Sequence, residues 1–462
     1  MKKINAVIVL SCLLSSTAFS TSLSEALVST YQNNPELIAA REKLKATDEK
    51  MFQAISGFLP KVIYSAKKTN QKKDTTTDSS SLASSLSGQQ VKTDDWVDTK
   101  SKESSISLQQ NLFNGGQDVM AVKIAKYSIE AGRQELITNE QKILLEAIDA
   151  YLDVMRTKEV QDISRENYLA YEKKYNAIKE KLEVGVAKKA DLADAAARKA
   201  NAATNLIVSE GYYNSALATY MQIIGIEAEN VHSCDILTTP PKDQLELLQK
   251  SLATNPELQN VSFQKKIADI NVISNAASML PSVDLGGSIG KNWQDTRGSN
   301  LNQPYTNSKS VAISVTIPIY NKGLEYSNIR SASADAARLK YSLKNARAAV
   351  TQNSVKSWTE YVSAKDAAQS TKEAVKAGEV ALEAKQQEYE EGLGTLTDLL
   401  DAQENLFQYK IKLTQAEKES ALSYYKMASL MGKLTAKDLE LSTKLYNPAE
   451  NYDKVKVRLI GL

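Results

Sequence analysis

The chain has 462 residues, length for two or three domains, with 42% apolar residues, 24% charged residues and a net charge of +2. Positive and negative side chains interleave and no Lys/Arg run dominates, which excludes a nucleic-acid binder. Phenylalanine is scarce (6) and tyrosine plentiful (21); with much of the apolar content in alanine, the composition indicates amphipathic helices around thin cores.

Residues 1–20 read as a secretory signal peptide. Lys2 and Lys3 form its positive start, Ile4 to Leu14 a short apolar run, and Ala18-Phe19-Ser20 a small-x-small cleavage site. Cys12 raises a lipid anchor as the alternative. After cleavage Cys234 stands alone, so no disulfide can form within the chain. No later segment holds 18 consecutive apolar residues, so the exported chain has no membrane-spanning helix.

The elements then follow twice. Leu23 to Gly57 is helical, interrupted at Asn34-Pro35, where proline suits a first helical turn. After Leu59-Pro60 the period changes to two: Val62, Tyr64 and Ala66 alternate with Lys61, Ile63 and Ser65. Thr69 to Lys102 is polar and reads as a long exposed loop. Ile106, Leu108, Gln110 and Leu112 then alternate with Ser105, Ser107, Gln109 and Asn111. A proline-free stretch from Gly116 to Gly185 predicts a helix on the order of 100 Å long. A second helix follows, from about Lys188 to Gly225. In it Leu192, Lys199, Leu206, Tyr213 and Tyr220 step by seven beside a small-residue row, Ala195, Ala202, Ser209 and Ala216. That is coiled-coil spacing.

The second pass is marked by repeated landmarks. Asn34-Pro35-Glu36-Leu37 returns 221 positions later as Asn255-Pro256-Glu257-Leu258. Phe113-Asn114-Gly115-Gly116 returns after 207 as Tyr320-Asn321-Lys322-Gly323. Gly185, Asp191, Asp194 and Gly225 return at the same 207 as Gly392, Asp398, Asp401 and Gly432. The repeats, 21–230 and 244–434, are joined by a linker (231–243) and followed by an extension (435–462) with no counterpart and no assigned role. Val283, Leu285, Gly287 and Ile289 alternate with Asp284, Gly286, Ser288 and Gly290. Past a polar loop from Trp293 to Ser308, the row Val311 to Ile319 alternates with Ala312 to Tyr320.

Four runs that alternate apolar-out and small-polar-in are the pattern of membrane β-strands. In lipid only a closed barrel satisfies the backbone, and four strands cannot close one. The chain must therefore oligomerise. Eight strands would fill their own interior; twelve leave a wet lumen, which suits the small inward rows and favours a trimer. Trp96, Trp293, Tyr64, Phe113 and Tyr320 lie near strand ends, as aromatic girdles would. The fold class is mainly α with membrane β: long antiparallel coiled-coil helices forming an α-barrel, plus four strands per chain in a shared twelve-stranded barrel. The rival class is an exported fibrous coiled coil with a structural or adhesive role, which has no use for such strands.

The duplicated Asn-Pro-Glu-Leu, Leu-Pro and Asn-x-Gly landmarks, and above all Tyr389-Glu390-Glu391-Gly392-Leu393-Gly394-Thr395-Leu396-Thr397-Asp398-Leu399-Leu400-Asp401-Ala402, resemble the TolC family of outer-membrane channel proteins. The resemblance covers about residues 22–435. It implies a homotrimer in outer-membrane lipid, with a helical tunnel in the periplasm. Such a tunnel is the exit duct of an efflux pump or type I secretion system, and its partners are a periplasmic adaptor protein and an inner-membrane transporter. Both partners are expected to dock along the helical tip around 180–200 and 385–405. The resemblance places the tunnel's closed tip at Gly392 to Asp401, including Thr395. It makes Asp398 and Asp401 an acidic ring, and gives Asp191, with its neighbour Asp194, and Tyr389 a part in holding the tip shut. Two carboxylates three apart share a helix face, and six around one constriction would attract cations and raise one another's pKa values. The family often carries arginine where this chain has Gly394, which leaves two alternatives: a looser gate, or a latch that uses Lys188 or Lys189 instead. His232-Ser233-Cys234-Asp235 offers too few ligands for a metal, and no phosphate loop, nucleophile elbow or zinc motif occurs. The reading is of a non-enzyme without cofactors.

Overall fold

A computed structural model describes residues 22–79, 91–228, 231, 240–297 and 305–456. The signal peptide with Cys12, and His232 and Cys234 of the linker, lie outside the described residues, as does the side chain of Trp96. The chain runs α1 (Leu23–Asn33), α2 (Pro35–Ile55), β1 (Lys61–Ser79), β2 (Val91–Asn114), α3 (Gln117–Glu183), α4 (Lys189–Ile224), α5 (Gln244–Thr254) and α6 (Pro256–Ala277). It continues through β3 (Ser282–Arg297), β4 (Thr306–Thr316), α7 (Leu324–Glu390), α8 (Leu396–Leu430) and α9 (Glu450–Val455). No described helix is long and apolar enough to cross a membrane. The described residues fall into two compact units, one made of those within 1–46, 130–262 and 342–450, the other of those within 47–129, 263–341 and 451–462.

The first unit is helical. The small row of α4 is its buried row: Ala195, Ala202, Ser209 and Ala216 are all inside, because small side chains let neighbouring helices approach closely. Lys418 on α8 reaches Asp149 (3.0 Å) and Asp153 (2.8 Å) on α3. Burial pushes the Asp153 carboxyl up, but Lys418 and Arg156 outweigh it and hold it below the usual range. On the other side α3 meets α4, with Glu172 2.8 Å from Lys199.

The Asn-Pro-Glu-Leu landmark has a double task, performed in both repeats. Asn34 Oδ1 accepts from the N–H groups of Glu36 and Leu37, capping α2, while its Nδ2 donates to Ile223 O (3.1 Å) near the end of α4. Asn255 Oδ1 accepts from Leu258 N–H (3.0 Å) at the start of α6, and its Nδ2 donates to Leu430 O (3.1 Å) at the end of α8. One amide thus satisfies a helix start and another helix's end, and the leucine that follows is buried in each case.

The extension after the second repeat belongs to this core. Leu434, Ala436, Leu439 and Leu441 are buried among Leu27, Leu144, Tyr151 and Tyr425. Ala436 N–H donates to Glu140 Oε1 (2.7 Å), and Tyr446 N–H to the Tyr31 hydroxyl (2.9 Å). Burial pushes the Glu140 carboxyl up, against the pull of Ala436 N–H and Arg41.

The second unit contains one antiparallel sheet in the order β1-β2-β3-β4. Its register aligns the predicted rows across all four strands. Val62, Leu108, Gly287 and Val311 share one row, and Tyr64, Ile106, Ile289 and Lys309 the next on the same face. On the opposite face Ile63, Ser107, Ser288 and Ser310 align, as do Ser65, Ser105, Gly290 and Ser308. Ser288 Oγ and Ser310 Oγ are 2.8 Å apart, and Asn111 Nδ2 donates to Asp284 Oδ1 (2.9 Å), so the polar face knits itself together.

The strand limits differ from expectation. Among the described residues, Thr69 to Ser79 and Val91 to Lys102 are strand rather than loop: β1 and β2 pair from Lys61↔Gln109 out to Ser79↔Val91. Likewise β3 runs on to Arg297 and β4 begins at Thr306, so both ends of the stretch from Trp293 to Ser308 are strand. These outer arms are polar on both faces, so they carry no hydrophobic alternation, although their threonines favour extended backbone. At the other end β4 stops at Thr316, short of the predicted Tyr320, since Pro318 has no N–H for a ladder. The β2 ladder shifts register between Asn111 and Phe113, so Leu112 is the extra residue of a bulge.

Candidate functional site at the helical turns

Two turns end the long helices, and they are built alike. After α3, Gly185 adopts φ +77° and the N–H groups of Val186 and Ala187 donate to Lys181 O (2.8 and 3.2 Å). After α7, Gly392 adopts φ +76° and the N–H groups of Leu393 and Gly394 donate to Glu388 O (2.8 and 3.0 Å). Left-handed backbone there is strained for any residue with a Cβ, which is why both turns carry glycine. A Cβ on Gly394 would lie 3.1 Å from Glu388 Cβ and 3.4 Å from Tyr389 N. The second turn is closed too tightly there for a long side chain to enter without displacing its neighbours, although Ala187 occupies the matching place in the first.

Each turn opens into a helix with an acidic brace. Thr395 Oγ1 accepts from Asp398 N–H (3.2 Å) and donates to Asp398 Oδ2 (2.7 Å), while Thr395 N–H donates to the same carboxylate (3.3 Å). This is a capping box. Asp191 repeats half of it, accepting from Lys188 N–H (3.2 Å); lysine has no acceptor to complete the exchange. Asp398 is exposed, and the Thr395 hydroxyl, then the Thr395 N–H, hold its carboxyl below the usual range. Within one chain the shift is therefore opposite to the one a ring of repelling carboxylates would give.

Asp401 stands one turn further along α8, exposed, with Arg198 Nη2 2.6 Å from its Oδ1. Arg198 Nε also lies 3.7 Å from Asp194 Oδ1. One guanidinium thus joins the two repeat-related aspartates and ties α4 to α8. Lys188 and Lys189 are both exposed, and among the described residues neither pairs with a carboxylate; they sit at the turn itself, whereas Arg198 lies on the stretch of α4 that faces α8. No sequence signal separates Arg198 from other helix charges, since its partner is 203 residues away and its own repeat position holds Asn405.

Tyr389 is half-buried, its ring under Lys181 Nζ at 4.8 Å, and it packs on a small core of Tyr171, Ile178, Ala195, Ala202, Leu396 and Leu400. Among the described residues Tyr389 and Asp191 share no hydrogen bond within the chain. Above that core lies a polar seam the sequence did not reveal. The buried Tyr171 hydroxyl donates to Leu400 O (3.1 Å), and Lys174 Nζ to Gln403 Oε1 (3.0 Å). Burial pushes the Tyr171 hydroxyl up and the Lys174 ammonium down to about 8. Among the described residues the site offers positioned charges that can hold helices together or attract ions.

Comparison with known proteins gives a consistent picture. The model of the family described as outer membrane efflux protein matches residues 26–226 and 247–433. The outer membrane efflux protein BepC of Brucella suis is 26% identical over 445 residues, covering 96% of this chain and 92% of the relative. The outer membrane protein TolC of Vibrio cholerae is 22% identical over 448 residues, covering 95% and 97%. The crystal structure of the outer membrane protein VceC from Vibrio cholerae superposes with a TM-score of 0.71 at 16% identity, covering 89% of this chain and 96% of that one.

Proposed function

Because this chain belongs to the outer membrane efflux protein family, we propose that three copies of it close one duct, with a twelve-stranded barrel in the outer membrane and a helical tunnel in the periplasm. The protein resides in the outer membrane and serves as the exit duct of an efflux or secretion system. The sheet carries the proposal of shared closure. It has apolar rows on one face, small polar rows on the other, and β1 and β4 as free edges. Unpaired edge groups cost several kcal/mol each in hydrocarbon, so β4 of one copy pairs with β1 of the next. An even number of strands per chain keeps every junction antiparallel.

The helices support the same reading. In α7 only Val350, Ser354 and Gly378 are buried, while Val380 on α7 and Ile207 and Tyr212 on α4 are exposed at 68%, 68% and 64%. These faces await a neighbouring copy. In the trimer Asp398 and Asp401 form the acidic ring of a gate. Asp191, Asp194 and Tyr389 secure it, and Gly392 and Thr395 shape it. Val186 and Leu393, exposed at the two turn tips (76% and 79%), offer apolar knobs for a periplasmic adaptor that links the duct to an inner-membrane transporter. A fibrous coiled coil would leave the aligned apolar rows of the sheet without purpose. The test is the current through planar bilayers after insertion of the purified protein. Discrete cation-favouring channels are expected; an inserted protein that never conducts would overturn the proposal.

A further inference from the structure

The outward face of the sheet changes character abruptly toward the hairpin ends. Its apolar rows finish with Tyr64, Ile106 and Ile289. The next row on that face is Ala66, Ser104 and Lys291, and the one beyond it is Lys68, Lys102 and Trp293. From Val283 to Trp293 the strand rises roughly 34 Å, about 25 Å in projection at a barrel tilt of about 40°, the height of an outer-membrane apolar band. Trp293 therefore stands at the far edge of that band, where an interfacial aromatic belongs.

Lys68 and Lys102 are direct cross-strand partners. Like charges placed so are destabilising, and the contrast with the other face is plain: there Lys67 stands opposite Glu103. Among the described residues no carboxylate pairs with Lys68, Lys102 or Lys291. Lys102 Nζ lies 5.3 Å from the Trp293 ring centroid. Lys68, Lys102, Lys291, Trp293 and Tyr305 line a recess of about 460 Å³, which Lys67 and Glu103 also border as an opposed pair that leaves the positive balance of the other three in place. Three unpaired ammonium groups and two aromatic rings around one hollow form a receptor for an anion carried on an amphiphile.

The geometry points to a binding site for the phosphorylated headgroup of an anionic glycolipid in the outer leaflet, its phosphate held by Lys68, Lys102 and Lys291 and its sugar resting on Trp293 and Tyr305. The inference rests on the reading of this sheet as part of a membrane barrel, with the hairpin ends opposite the periplasmic helices. The apolar rows directly below supply the place for the acyl chains, which a free phosphate would not need.

The experiment compares the intact protein with the triple variant Lys68→Gln/Lys102→Gln/Lys291→Gln and with a control, Lys61→Gln/Lys73→Gln, on the opposite face and outside the recess. Each is reconstituted into nanodiscs of zwitterionic lipid doped with a small fraction of lipopolysaccharide. Phosphorylated glycolipid retained after detergent re-extraction is then counted, with and without excess inorganic phosphate. Each lysine contributes about fivefold, so the triple variant is expected to lose on the order of a hundredfold in retention, the control little. Free phosphate should fail to displace the lipid; displacement would mark a free-anion site and overturn the lipid assignment. Equal retention by the triple variant and the intact protein would overturn the site, as would an equal loss in the control. Channel current is measured on the same samples. Current that persists while retention is unchanged defeats the lysine site alone, whereas its absence from the intact protein defeats the barrel reading itself.

Discussion

Replacing Arg198 with alanine is expected to raise the resting conductance of the duct. Among the described residues the guanidinium is the group that pairs with both Asp194 and Asp401, so its loss removes the charged tie between α4 and α8 beside the turns. The pair is partly exposed, with 27% and 53% of the two side chains accessible, and a single pair of this kind is worth only about 0.2–1 kcal/mol. One bridge would be a weak latch. Three copies that open together combine to about 0.6–3 kcal/mol, or roughly 3- to 150-fold in the open population. Asp401→Ala should loosen the tip by the same route but weaken cation preference, because it also removes a ring carboxylate. Arg198→Ala should strengthen block by multivalent cations, because it leaves that carboxylate unpaired. Arg198→Lys should rescue only in part, since an ammonium lacks the fork that reaches two carboxylates. If single-channel recordings of Arg198→Ala match the parent in both conductance and block, the bridge has no role in closure.

Leu434→Ala is expected to cost about 2–5 kcal/mol of stability, the range for emptying a fully buried leucine site. Leu434 is 0% exposed and packs in the main core of the helical unit, although it follows the second repeat. Leu445→Ala, at an exposed position (43%), should change stability by no more than about 0.5 kcal/mol. Urea unfolding followed by circular dichroism compares the two; similar midpoints would show that the extension is not part of the core.

These two cases mark where the sequence was informative and where it was silent. The long helices, the turns at Gly185 and Gly392 and the alternating strand rows were legible because each has a period or a glycine imposed by geometry, and each could be checked in the other repeat. Residues 435–456 had no counterpart to check against, and short segments packed by Leu434, Leu439 and Leu441 show no long periodicity. The outer arms of β1 and β2 escape a strand reading because their run of Lys, Thr, Asp and Ser erases the alternation. At the turns Asp191, Asp194, Asp398 and Asp401 were found through duplication, and the structure brings Asp194 and Asp401 to one guanidinium. Arg198 stayed hidden because it breaks the symmetry: only one repeat carries it. The lysine recess stayed hidden for a related reason. Lys68, Lys102 and Lys291 come from three strands, and only the ladder register brings them into neighbouring rows of one face.

The central claim is that one chain supplies too few strands to close a membrane wall and that three chains complete it. Its most direct measurement is the number of protein copies per particle in mild detergent, obtained by light scattering with separate determination of the bound detergent mass. The account predicts three copies per particle. A stable, folded particle containing one copy would contradict it.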